Sequence, residues 1–209
     1  MVEQLGKIEK PEAGYFTSKR KLCLIPLIFS SDEAPADYVE RFNRYWEQVS
    51  QHLISLESKM GKVKHVYHES ITSGDDQGLK ILEKLNPFCY QIAMDKCQND
   101  AVLDIIEDNE LFEECIDWER CLVMGFISQK AARVVSEFYM EASKQRYEHI
   151  ARRIDESLKN NEMGILFIRE GHGVQFPADI EVFSVAPPAL DEINRWRRDL
   201  SSTNEQDNK

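Results

Sequence analysis

Two short apolar runs interrupt an otherwise mixed sequence: LCLIPLIF (Leu22–Phe29), and Ile165–Ile168 within NNEMGILFI. A continuous apolar run of this length, bounded by polar residues, predicts a strand covered on both faces. Pro26 complicates the first run because it removes a ladder donor, so that strand lies at an edge, is bulged, or is shorter than the run. Between them the spacing changes. Tyr38, Phe42, Tyr45, Trp46, Val49, Leu53 and Leu56 recur at steps of three and four, which predicts an amphipathic helix. Ser31 or Asp32 is expected to cap it, with Pro35 in its first turn and Gly61 at its stop.

Alternation then takes over: Val63, His65, Tyr67 and Glu69 oppose Lys64, Val66 and His68, as in a half-exposed strand. GDDQGLKILEKLNP reads as a short helix stopped before Pro87, with Asp75 or Asp76 at its cap. Residues 88–108 fit helix or strand; we place a helix near Phe88–Lys96 and a strand near Ala101–Ile106. Glu110–Leu158 is helical in tendency throughout, with Ala131, Val134, Val135, Phe138, Ala142, Ile150, Ile154 and Leu158 near one face. A single helix over residues 120–158 would be about 58 Å long, against a diameter near 43 Å for a compact chain of this size. A break at Gly125–Ser128 is therefore expected, leaving a long second helix that offers surface to a partner. DIEVFSVA supplies a further strand, and PPALDEINRWRRDL a last helix with proline at its start and acids in its first turn. The element order predicts a layered α/β (or α+β) domain: a sheet of about four to five strands flanked by helices, spanning residues 21–200. A loose segment over residues 1–20 and a disordered tail over residues 201–209 are expected to complete the chain.

Composition narrows the function. The 209 residues carry a net charge of −11, which argues against a surface built for nucleic acid, although it does not exclude it. Charge is unevenly spread. Ten acids stand against Lys96 alone between Asp95 and Glu119, whereas Gln129–Lys159 holds seven Lys or Arg against five acids. Neighbours of opposite sign screen one another or pair across a self-association surface, so a homo-oligomer is expected and a further protein partner is compatible. Five cysteines, an odd number without C-x-x-C spacing, predict free thiols in the cytoplasm. No run reaches bilayer length and the start lacks a signal-peptide pattern, so no membrane association is expected.

Candidate chemistry concentrates in REGHG (Arg169–Gly173). At the end of a central parallel strand this loop would occupy the carboxyl edge, where α/β folds place ligands. His172 could serve as general base with Glu170 orienting it, while Arg169, Gly171 and Gly173 hold an anionic small molecule. The competing reading is a turn that needs glycine, with His172 solvated. His65 and His68 are three apart and would face opposite sides of a strand, so they do not share a metal. Glu-x-x-His is absent, which removes a carboxylate di-metal bundle, and neither phosphate-binding glycine motif occurs. No cofactor and no metal are expected. Arg195, Trp196, Arg197 and Arg198 form a cationic-aromatic group on the last helix that would touch a partner or RNA, or simply dock the tryptophan.

The ending GILFIREGHGVQFPADIEVFSVAPPALDEINRW resembles that of an uncharacterised prokaryotic α/β protein family. RIDESLKNNEMGILFI is similar to the helix, acidic turn and apolar strand in the last domain of translation release factors. That similarity implies an L7Ae-like α/β/α sandwich that mediates protein or RNA contacts. The release-factor Gly-Gly-Gln is absent, so peptidyl-tRNA hydrolysis is not implied.

Overall fold

Five parallel strands pair in the order β3-β2-β4-β1-β5 in the computed structural model, which describes residues 19–31 and 33–207. They are β1 (Arg20–Pro26), β2 (Val63–His68), β3 (Val102–Asp104), β4 (Met163–Ile168) and β5 (Ile180–Ser184). Among the described residues six helices accompany them: α1 (Ala36–Met60), α2 (Asp75–Leu85), α3 (Pro87–Gln98), α4 (Asn109–Met124), α5 (Gln129–Ser157) and α6 (Pro188–Asp207). The protein is thus an α/β fold with its longest helix in the second half. Residues 1–18 of the expected N-terminal segment and residues 208–209 of the expected tail lie outside the described residues. Of the rest of that tail, α6 takes in residues 201–207.

β4 is the middle strand, and all six of its residues are buried. Its side chains alternate between two cores. Met163, Ile165 and Phe167 join α1, α2, α3 and α6 residues on one face, whereas Leu166 and Ile168 join Ile150 and Ile154 of α5, and Leu158 just after it, on the other. The connections β1→β2 and β2→β3 run over the first face toward β3. The connections β3→β4 and β4→β5 run over the second face toward β5, so all four crossovers share one hand. The last of them contains no helix: Val174 and Phe176 of residues 169–179 pack directly into the second core.

Two local expectations are corrected, for β2 and for the helix caps. For the first apolar run the shorter strand among the three alternatives holds, since β1 ends before Phe29 and is flanked by β4 and β5. Pro26 is its last residue, and its nitrogen turns toward β5 beyond the last paired position, Leu24↔Ser184, so no ladder bond is lost. β2 is not half-exposed: it lies between β3 and β4, and only Lys64 among its six residues is exposed. Pro35 and Gly74, rather than Ser31, Asp75 or Asp76, occupy the cap positions of α1 and α2, neither with a side-chain cap bond; Asp32 lies outside the described residues.

The expected helix break falls where the glycine and serine predict it. Gly125 ends α4 at φ 75°, and the Ser128 hydroxyl caps α5 by accepting from Ala131 N. α5, about 43 Å long, divides in use. Ala142, Arg146, Ile150 and Ile154 are buried, whereas no residue from Gln129 to Glu141 is. That first half packs chiefly on α4, whose own single buried residue is Cys115. Together they form a two-helix arm joined to the sheet domain by the second half of α5. No helix among the described residues is long and apolar enough to cross a membrane.

Candidate functional site

The carboxyl ends of β2 and β4 lie side by side, and their connections leave over opposite faces, the arrangement that opens a crevice in parallel sheets. Arg169 follows β4 there and Glu69 follows β2. Glu69 is buried; its carboxylate accepts from Arg169 N at 2.7 Å and from Arg169 Nε at 3.3 Å. On the other side of Glu69 stands Arg146 of α5, 3.7 Å away and only 1% exposed. Arg146 donates through Nε and a terminal nitrogen to Glu107, which also accepts from Ser70 N at 3.0 Å. The Arg169 guanidinium reaches outward to Glu119 of α4 at 3.0 Å.

Three carboxyl groups and two guanidiniums therefore form one connected cluster. Burial pushes the Glu69 carboxyl up, and the charges of Arg169 and Arg146 only partly offset it. Burial also opposes the charge on Arg146, but the hydrogen bonds and charge of Glu107, with the charge of Glu69, outweigh it and hold the guanidinium protonated. The Phe112 ring stacks a cation–π contact onto it at 5.1 Å. The cluster joins β2, the segment after β3, α5, α4 and the β4–β5 loop, so it fixes where the arm leaves the sheet.

The loop after β4 answers the question raised by its two glycines. Gly171 adopts φ 75°, a conformation only glycine takes without strain. Gly173 lies against Tyr147 of α5, and a Cβ there would approach Tyr147 Cδ2 to 3.1 Å. Gly173 lets the loop lie close on the helix, whereas Gly171, where a Cβ would meet open space, serves the backbone turn. Between the loop and α5 runs a groove of about 640 Å³, lined by Tyr139, Met140, Ser143, Lys144, Tyr147, Glu148 and Ala151 on the helix side. Gly171, Gly173 and Gln175 form the opposite wall.

The sequence-predicted site residues share this loop without forming one device. Glu170 is exposed and accepts from Asn194 Nδ2 of α6 at 3.2 Å. His172 turns its ring toward Phe176, with centroids 6.1 Å apart. Its Nδ1 is buried without a hydrogen-bond partner among the described residues, and burial lowers its pKa. Arg169 is occupied by Glu69 and Glu119. On the last helix, Trp196 donates to Asp37 at 2.6 Å and packs on Tyr38 at 4.9 Å, while Arg197 bonds the Tyr38 hydroxyl at 3.0 Å. Arg195 and Arg198 are exposed beside them.

Two histidines earlier in the chain occupy opposite faces of β2. His65 stacks on Tyr67 and sits between Asp104, 2.7 Å from Nδ1, and Glu162, 3.0 Å from Nε2. Partial burial opposes its charge, but the hydrogen bonds and charges of the two carboxylates outweigh it and raise its pKa. His68 lies against Phe167, with Nδ1 on the Glu69 carbonyl oxygen and Nε2 without a partner among the described residues.

Sequence reasoning missed Glu69, Glu107, Glu119, Arg146 and Tyr147 as a site. One signal was present: Arg146 sits four residues from both Ala142 and Ile150 in the apolar stripe of α5. A cation at a core position requires a buried acid, and only the fold reveals which. Compared with protein-family models, with curated proteins and with solved structures, the chain matches none.

Proposed function

We propose that this chain is a self-associating binding or scaffold domain, with the arm of α4 and the first half of α5 as the contact between copies. One observation carries the reading: the tip of the arm is apolar and open to solvent. Val123 and Met124 are 84% and 85% exposed, and Phe126, Ile127, Val134, Phe138 and Met140 are exposed beside or behind them. A two-helix hairpin buries one stripe per helix, and pairing with a second hairpin into a four-helix bundle covers the rest. Charge supports a second copy as the occupant. α4 carries five acids against Arg120, whereas residues 129–144 of α5 carry Lys130, Arg133 and Lys144 against Glu137 and Glu141. Antiparallel pairing would set α4 of one copy against α5 of the other, opposite signs together. The odd set of five cysteines favours the reducing cytoplasm as its location.

The enzyme reading has less support, since Glu170 bonds Asn194 instead of His172 and Arg169 is held by two carboxylates. So has a translation-associated RNA contact through α6, where Trp196 and Arg197 are engaged with α1. Light scattering coupled to size exclusion tests the proposal: at tens of micromolar the chain should elute as a dimer or larger. Met124→Asp with Ile127→Asp should return it to monomer. A wild-type monomer, or a double variant that stays associated, refutes the arm as the contact.

A further inference from the structure

We infer that the groove between α5 and the β4–β5 loop receives the apolar tip of a second copy's arm, so that two arms lie antiparallel with each tip at the root of the other. The inference rests on self-association through the arm and adds where the tip goes. An arm cannot fill its own groove. From Gln129 beside the tip to Lys144 in the groove, α5 rises about 22 Å.

That separation fits two arms around a two-fold axis. An axis crossing α5 near Ser136 and Glu137, midway along the interval, brings each tip level with the groove of the other copy. Both tips and both grooves are then used at once, and the assembly closes as a dimer. Val134 and Phe138 flank the midpoint and are 38% and 51% exposed, so apolar surface also lies where the two α5 helices approach each other. In this arrangement α4 of one copy runs beside α5 of the other in the same chain direction, and its last turn leads the tip to the groove.

The chemistry of the two surfaces matches. Cys121–Gln129 contains no charged residue and presents Val123, Met124, Phe126 and Ile127, the last wholly exposed. On the groove side Tyr139, Met140, Tyr147 and Ala151 offer apolar surface. The two charged side chains of the lining, Lys144 and Glu148, stand 4.0 Å apart and cancel. Such a lining selects neither an anion nor a cation; it suits an uncharged apolar segment. The loop wall is low, since a Cβ at Gly171 would meet nothing within 4 Å, and the volume of about 640 Å³ has room for apolar side chains.

Crosslinking tests the placement. Full-length chains carrying p-benzoylphenylalanine in place of Ile127 are mixed, isotope-labelled with unlabelled, at tens of micromolar and photolysed. Crosslinks between chains should join the tip to residues 139–151 or 171–175. Ala151→Trp, which fills the groove and leaves the tip untouched, should keep the circular dichroism of the wild type and raise the dimer dissociation constant roughly tenfold or more. A dimer whose crosslinks join tip to tip, or whose affinity is unchanged in Ala151→Trp, would overturn the groove as receptor and leave the arm contact standing. A chain that stays monomeric would remove both.

Discussion

His68 is held in the core as a neutral imidazole, with its pKa lowered to about 4 chiefly by burial. Unfolding restores an ordinary value near 6.5, so protonation favours the unfolded chain as pH falls through that window. The linked loss of stability is on the order of 3 kcal/mol between pH 6.5 and 4. His65 has the opposite sign. Its pKa is raised in the fold, so its contribution is complete below about pH 6.5 and disappears as pH rises through the folded value. Urea unfolding measured across pH should therefore show a shallower acid limb for His68→Gln than for wild type, whereas His65→Gln should lose stability mainly below neutrality. An acid limb identical in His68→Gln and wild type would refute this account. Arg146 is the other decisive side chain. Arg146→Met leaves the buried Glu107 without its cation, while Glu69 keeps Arg169, and should cost about 3–5 kcal/mol; adding Glu107→Leu should recover part of it. Equilibrium unfolding of the single and double variants checks both halves.

Among the elements, β4 is specified most tightly. A Cβ at Gly164 would meet Tyr67 Cε2 at 2.9 Å and Leu22 Cδ1 at 3.3 Å, which presses β2, β4 and β1 apart. Gly164→Ala should destabilise by about 1–3 kcal/mol, read from the denaturant midpoint. A midpoint equal to wild type would mean that the strands can shift at little cost. The runs that became β1 and β4 were legible because burial on both faces leaves an unbroken apolar signature. The break between α4 and α5 was legible for a local reason, Gly125 and Ser128. β2 was misread because alternation cannot distinguish one covered face from two when polar residues such as His65 and His68 are themselves internal. A shift of register between Val63 and His65 blurs the pattern further. The charged cluster was illegible for a different reason. Its pairs, Glu69 with Arg169 and Glu107 with Arg146, come from distant segments, and each residue alone looks like surface charge.

At the scale of the whole molecule, the proposed pairing of arms would tie folding stability to protein concentration. The midpoint of thermal unfolding should rise across a hundredfold increase in wild-type concentration and stay fixed in Met124→Asp/Ile127→Asp. Differential scanning calorimetry at two concentrations checks it; a wild-type midpoint independent of concentration would speak against association through the arm.

The strand order carries one more consequence, for a chain leaving the ribosome. β1 finds both of its neighbours, β4 and β5, in the last quarter of the sequence, while β2 and β3 can offer each other only three paired positions beforehand. Of the described strands, the first to emerge thus waits, apolar and unpaired, until β4 and β5 have been synthesised. Such non-local pairing makes folding slow and lengthens the interval in which nascent chains are exposed to aggregation.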